Sequence, residues 1–231
     1  MVASQKSHVV RGAQSALRPL ADTDHAVGAC AYMKGVAPFL GITAADRRKA
    51  LKRAWHELPE LTSDDLGEAA LALMHLKERE FHYAAYDLIG WNIEVCDEDF
   101  LMRYGAKLLT TTPWWDTIDG LVNAMVSPLM YRFHKDELME EWSESGDRWL
   151  IRAAIGHQRG WKSETNIKRV LELCDRHWAS REFFIAKAIG WALRDLARIN
   201  PTAVDRFLAE HDTANRVAIR EADRGLQSSR T

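Results

Sequence analysis

Apolar residues recur along the chain three and four positions apart, and no stretch alternates apolar with polar positions as a half-buried strand would. This period predicts helices over residues 5–19, 23–35, 44–57, 63–77, 80–94, 97–110, 113–126, 128–141, 147–158, 163–178, 181–199, 201–211 and 214–225. Ala, Leu, Arg and Glu are abundant and only 6 residues are proline, the composition of a helical chain. Helices of about 10 to 18 residues joined by tight turns stack as antiparallel pairs, each pair spanning roughly 35 to 45 residues as in HEAT and armadillo arrays. The expected fold is therefore all-α, a single elongated domain over 1–231 in which the polar stretch 225–231 is a frayed tail.

Hydrophobic residues make up 47% of the chain, but no apolar run approaches the ~18 residues of a membrane-spanning helix, so no membrane partner is expected. The start, MVASQKSHVVRG, has no apolar core of a secretory leader, which points to the cytoplasm. Cys30, Cys96 and Cys174 are scattered, odd in number and without C-x-x-C spacing. They read as buried thiols, and no metal site or cofactor is expected. The formal net charge of -2 excludes a protein that coats nucleic acid indiscriminately. Charge is nevertheless uneven: residues 34–53 hold six Lys/Arg against one acid, 57–99 two against twelve, and 147–198 eleven against six. A stacked array with this distribution carries basic surfaces and an acidic one, although ordinary solvated helix faces are the commoner cause of such runs.

Three helices carry unusual residues off their apolar stripe. In TTPWWDTIDGLVNAMVSPL, Thr112 as cap and Pro113 at the first helical position set the phase. Trp114, Ile118, Leu121, Val122 and Met125 then form the core stripe, whereas Trp115, Asp119 and Asn123 lie together elsewhere, one turn apart. Asp116 in the first turn has the helix dipole to account for it; Asp119 lies beyond that reach. In SGDRWLIRAAIGHQRGWK, Leu150, Ala153, Ala154 and His157 suit a packed face, while Arg148, Arg152 and Arg159 recur at i, i+4 and i+11. An arginine pair one turn apart suits phosphate oxygens and the acids of a neighbouring helix equally well. In SREFFIAKAIGWALRDLARINP the core stripe is Ile185, Ile189, Ala192, Leu196 and Ile199; Trp191 instead shares a row with Lys187, Arg194 and Arg198. A helical tryptophan is usually packing, and cation–π contact with Lys187 or Arg194 would satisfy this one.

YMKGVAPFLGITAADRRKA (32–50), EREFHYAAYDLI (78–89), WWDTID (114–119), RWLIRAAI (148–155) and REFFIAKAIGWALRDLARINP (181–201) resemble, in order, the successive motifs of AlkD-type alkylpurine DNA glycosylases. The resemblance implies a right-handed superhelical solenoid of HEAT-like helix pairs. It also implies an enzyme, a monomer without a cofactor, that binds double-stranded DNA containing alkylated purines and hydrolyses the N-glycosidic bond of cationic N3- and N7-alkylated bases. The family's functional residues carry over as Trp115, Asp119 and Trp191 at the chemistry and Arg152 at a phosphate, each already placed off the core by helical phase. Arg148, Arg152, Lys187, Arg194 and Arg198 form helical rows of cations expected to bind DNA phosphates, and Tyr32 and Thr43 are the further expected DNA contacts. Thr43 departs from the family's pattern, which carries a longer polar side chain after FLGI. The resemblance further implies a clamp on the lesion-bearing backbone that need not flip the base and so admits bulky adducts.

Cleaving such a bond leaves positive charge on the sugar, and a carboxylate about 4 Å away at an effective dielectric near 20 interacts with it by about 4 kcal/mol. Asp119 fits that role and that of holding the attacking water. Two other readings stay open at this point: a helical-repeat scaffold that binds DNA or a protein without catalysis, and a family member that binds DNA but has changed its activity.

Overall fold

Every periodic segment does form a helix in the computed structural model of the chain, which describes residues 5–211 and 213–229. Among the described residues there is no strand. The helices fall into two compact units, one up to Met125 and one from Val126. The first unit contains α1 (Gln5–Leu17), α2 (Thr23–Tyr32), α3 (Ala44–Ala54), α4 (Ser63–Met74), α5 (Arg79–Trp91), a π-helical turn Leu101–Gly105 leading into α6 (Ala106–Thr110), and α7 (Trp115–Leu121). The second contains α8 (Ser127–Phe133), α9 (Asp136–Glu144), α10 (Arg148–Ile155), α11 (Ile167–Arg176), α12 (Phe183–Ala197), α13 (Pro201–Glu210) and α14 (Arg216–Ser229).

Several helix starts follow side-chain caps. Asp22 accepts from the amides of Asp24 and His25, Thr43 accepts from Asp46, and Thr62 with Asp65 forms a reciprocal capping box. Asp147, Asn166 and Asn200 do the same for α10, α11 and α13. Consecutive helices such as α4 and α5, or α9 and α10, pack on each other across short turns, which makes them antiparallel. In the first unit α5 is central, in contact with α1, α3, α4 and α7. Its Phe81, Leu88 and Ile89 are sealed with Leu51, Leu66 and Leu108, each worth roughly 1.5–3 kcal/mol of burial. In the second unit α12 is central, and its Ile185, Ile189, Leu193 and Leu196 share a core with Ile155, Leu173, Val204 and Ala222.

Several helix boundaries differ from the sequence expectation. The break expected at Pro128 is absent: the π-helical turn Val122–Val126 widens the backbone just before the ring, and helix continues to Phe133. The stop comes instead at His134, in the left-handed region with φ 50, and α9 ends at Glu144. α7 begins at Trp115, so Trp114 is the extended N-cap and is half-buried rather than a member of the core stripe; Thr112 is left-handed (φ 47) and caps nothing. Residues 163–166 precede α11, whose cap is Asn166. The expected frayed tail is also corrected, because α14 runs to Ser229 with Gly225 and Leu226 buried; residues 230–231 lie outside the described residues. α14 is held this tightly because Gly190 of α12 presents no side chain to it. A Cβ there would stand 2.7 Å from that of Glu221 and 3.0 Å from the Cα of Ala218.

Just beyond α10, His157 is fully buried, its Nδ1 2.6 Å from the Ala154 carbonyl and its Nε2 3.1 Å from Gln158 Nε2. Gln158 Oε1 accepts the Asn166 amide at 2.7 Å, so its amide group turns a donor toward the ring and the neutral imidazole is satisfied at both nitrogens. Burial pushes its pKa down to about 4. The unfolded chain therefore binds this proton more readily. The stability it contributes is complete above its ordinary value near 6.5 and is lost as pH falls toward 4, on the order of 3 kcal/mol in all. Urea denaturation at pH 7 and pH 4.5 should show wild type losing more stability on acidification than His157→Asn; equal losses would contradict this assignment.

Candidate functional site

The first turn of α5 places two buried ions where they fix loops. Glu80 accepts the backbone amides of Leu40, Gly41 and Ile42 at 2.8, 2.8 and 3.2 Å. This sets the FLGI turn, in which Gly41 takes φ 86 and Thr43 follows as the cap of α3. Arg79, with no exposed surface, does the equivalent for the segment leading into α7. Its guanidinium donates to Asp116 Oδ1 at 2.6 Å and Oδ2 at 3.2 Å, to Thr117 Oγ1 at 3.0 Å and to the carbonyl of left-handed Thr112 at 2.9 Å. Tyr83 donates its hydroxyl to the same carboxylate at 2.5 Å, and burial followed by the Asp116 charge raises its pKa well above the usual tyrosine range. Thr117 closes the circuit through the amide and carbonyl of Trp114.

This frame presents Trp115 and, one turn on, Asp119, both half-buried. The Trp115 ring meets Tyr32 edge to face at 6.3 Å, and Tyr32 is 70% exposed. Three of the expected residues of this unit, Tyr32, Trp115 and Asp119, thus occupy the α2 terminus and the first turns of α7. Thr43 is occupied as a helix cap, with its hydroxyl 2.7 Å from Asp46 Oδ2. Part of the basic stretch 34–53 is internal: Arg47 and Arg48 both pair with Asp87, at 3.1 and 3.0 Å.

In the second unit three guanidiniums surround one indole. Those of Arg152, Arg159 and Arg194 stand 4.8, 5.1 and 5.9 Å from the centroid of Trp191. Arg152, expected on an off-core side, is only 3% exposed and donates to the Phe184 carbonyl at 2.8 Å. Lys187 and Arg194 have an internal partner that the sequence reading did not foresee. Buried Glu221 of α14 accepts from Lys187 at 2.7 Å, Arg194 at 2.9 Å and Arg224 at 2.9 Å. These cations hold its pKa below the ordinary carboxylate value although burial acts the other way. Arg148 is exposed and stands 3.5 Å from Glu182.

Sequence reasoning missed Arg79, Glu80 and Glu221 because each is an ion buried on a helix's apolar side, where periodicity predicts a hydrocarbon. The signal available for the first two was their place in EREFHY, which carries three charged residues at the start of an otherwise apolar helix. Among the described residues no group of three or more His, Cys, Asp or Glu is placed to hold a metal ion. Nor is any helix among them long and apolar enough to cross a membrane.

Residues 13–226 match the model of a family described as DNA alkylation repair enzyme. A solved structure described as a predicted DNA alkylation repair enzyme from Enterococcus faecalis is similar to the chain with a TM-score of 0.78 and 26% sequence identity, over 87% of this chain and 94% of that one. No curated protein matches the chain.

Losing Arg79 strands the Asp116 carboxylate, whose side chain is only 9% exposed. Arg79→Met should therefore destabilise the protein by roughly 3–5 kcal/mol, whereas Arg79→Met combined with Asp116→Leu should recover much of that loss. Urea denaturation of the singles and the double provides the cycle. Single losses that simply add in the double would contradict the pairing.

Proposed function

Because the chain belongs to the DNA alkylation repair enzyme family, and so to DNA repair, we propose that it is a glycosylase. It hydrolyses the N-glycosidic bond of cationic N3- and N7-alkylated purines in duplex DNA. The observation that supports this reading most is the first turn of α7, where an indole and a carboxylate lie one helical turn apart, outside the core, on a helix start locked by a buried guanidinium.

A purine alkylated at N3 or N7 is cationic and departs as a neutral base, so its positive charge passes to the sugar in the transition state. Asp119 stabilises that charge. An interaction of about 4 kcal/mol realised only in the transition state corresponds to nearly a thousandfold in rate. The same carboxylate holds the water that adds to the anomeric carbon and takes its proton. Trp115, braced edge to face by Tyr32, offers a π face to the cationic sugar. In the second unit Trp191 lies against the lesion-bearing backbone, and Arg152, Arg148, Lys187 and Arg194 supply the positive potential that draws phosphate. Because recognition rests on charge and backbone rather than on a base pocket, the base need not be flipped and bulky adducts are admitted.

Asp119→Asn keeps shape and one acceptor oxygen but removes the charge. Single-turnover release of N7-methylguanine from a duplex should slow by about one to three orders of magnitude with DNA affinity and melting temperature little changed. A variant that melts earlier yet excises at the wild-type rate per folded molecule would exclude the catalytic role, and a wild type that binds the duplex without releasing base would favour the scaffold.

A further inference from the structure

Arg159 shares the Trp191 indole with two other guanidiniums, and their charges are balanced unequally. Arg194 is ion-paired with Glu221, and Arg152 donates to the Phe184 carbonyl. Among the described residues, the Arg159 side chain has no hydrogen-bond or carboxylate partner, only the Trp191 ring. Helical spacing had grouped it with Arg148 and Arg152, but α10 ends at Ile155, so Arg159 stands in the loop beyond.

That loop is held firmly. Ser127 Oγ donates to the Arg159 carbonyl at 2.6 Å, and Trp161 Nε1 in turn donates to Ser127 Oγ at 2.9 Å. Gly160 takes φ 88, a conformation that favours glycine, and Gln158 ties the loop to Asn166. A half-buried guanidinium on a fixed backbone, beside two further guanidiniums, has lost part of its hydration without gaining a counter-charge. Such a group favours an anion, and its planar fork fits two oxygens of a phosphodiester.

We propose that Arg159 binds a backbone phosphate of DNA, with Trp191 as the platform that holds its guanidinium flat. This rests on the reading of the chain as a DNA-binding repair enzyme and adds a contact that resemblance did not assign. The residue positions the backbone and takes no part in bond cleavage.

The test is fluorescence anisotropy of a short undamaged duplex over a range of salt concentrations, with wild type, Arg159→Gln and Arg159→Lys. One lost phosphate contact lowers the slope of log affinity against log salt by about 0.9. Arg159→Gln should show that decrease and bind roughly 3- to 10-fold more weakly near 0.1 M salt, equally for different sequences. Arg159→Lys, which keeps the charge, should retain most of the slope, and thermal unfolding of both should match wild type. An Arg159→Gln slope and affinity equal to wild type would overturn the proposal while leaving the repair reading intact. A wild type that fails to bind duplex DNA at all would overturn both.

Discussion

A guanidinium sealed from water must be matched by acceptors on every side, and in the first unit that requirement is met by Arg79 and the segment 112–117. Asp116, Thr117, the Thr112 carbonyl and, through Asp116, Tyr83 are all committed to one buried charge. The left-handed Thr112 and the extended Trp114 are tolerated because their neighbours are held this way. Trp115 and Asp119 inherit their positions from that arrangement, since a helix whose first turn is fixed has its second turn fixed too. The buried charge contributes little as net stability. Its effect is to give α7 one starting point rather than several.

The second unit uses the opposite polarity. There a buried carboxylate, Glu221, gathers Lys187, Arg194 and Arg224, and the close approach of α14 allowed by Gly190 brings it within reach. Cations near Trp191 are thereby held in place rather than waving in solvent, which lowers the entropy lost when they meet an anion. It also means that a count of basic residues overstates the charge this face offers, because part of it is already neutralised.

Helix starts were legible from sequence at most side-chain caps, as at Asp22, Thr43, Thr62 and Asn200, but not at Asn166, where a short tight turn precedes α11. They were not legible where backbone geometry overrides local preference. The π turn before Pro128 and the left-handed His134 leave no mark in the apolar period. The apolar period did place Trp115, Asp119 and Trp191 outside the core, and the structure finds all three half-buried. It misjudged Trp114, whose phase was counted from a helix start two residues too early, and Arg152, which lies under the Trp191 ring rather than in solvent. Arg79, Glu80 and Glu221 stayed hidden for a common reason: each buried ion depends on partners more than 25 residues away in sequence, even where, as with Arg224 for Glu221, one partner is also local.

If the carboxylate of α7 serves a cationic sugar, the product of repair is a free base and an abasic site, not a restored purine. The most direct measurement is a mass-resolved product analysis of a duplex carrying one N7-methylguanine after incubation with the wild-type protein. Free 7-methylguanine should appear in solution together with a strand that breaks at the lesion under mild base. An intact strand still carrying the methylated base, or one carrying restored guanine, would contradict the glycosylase reading.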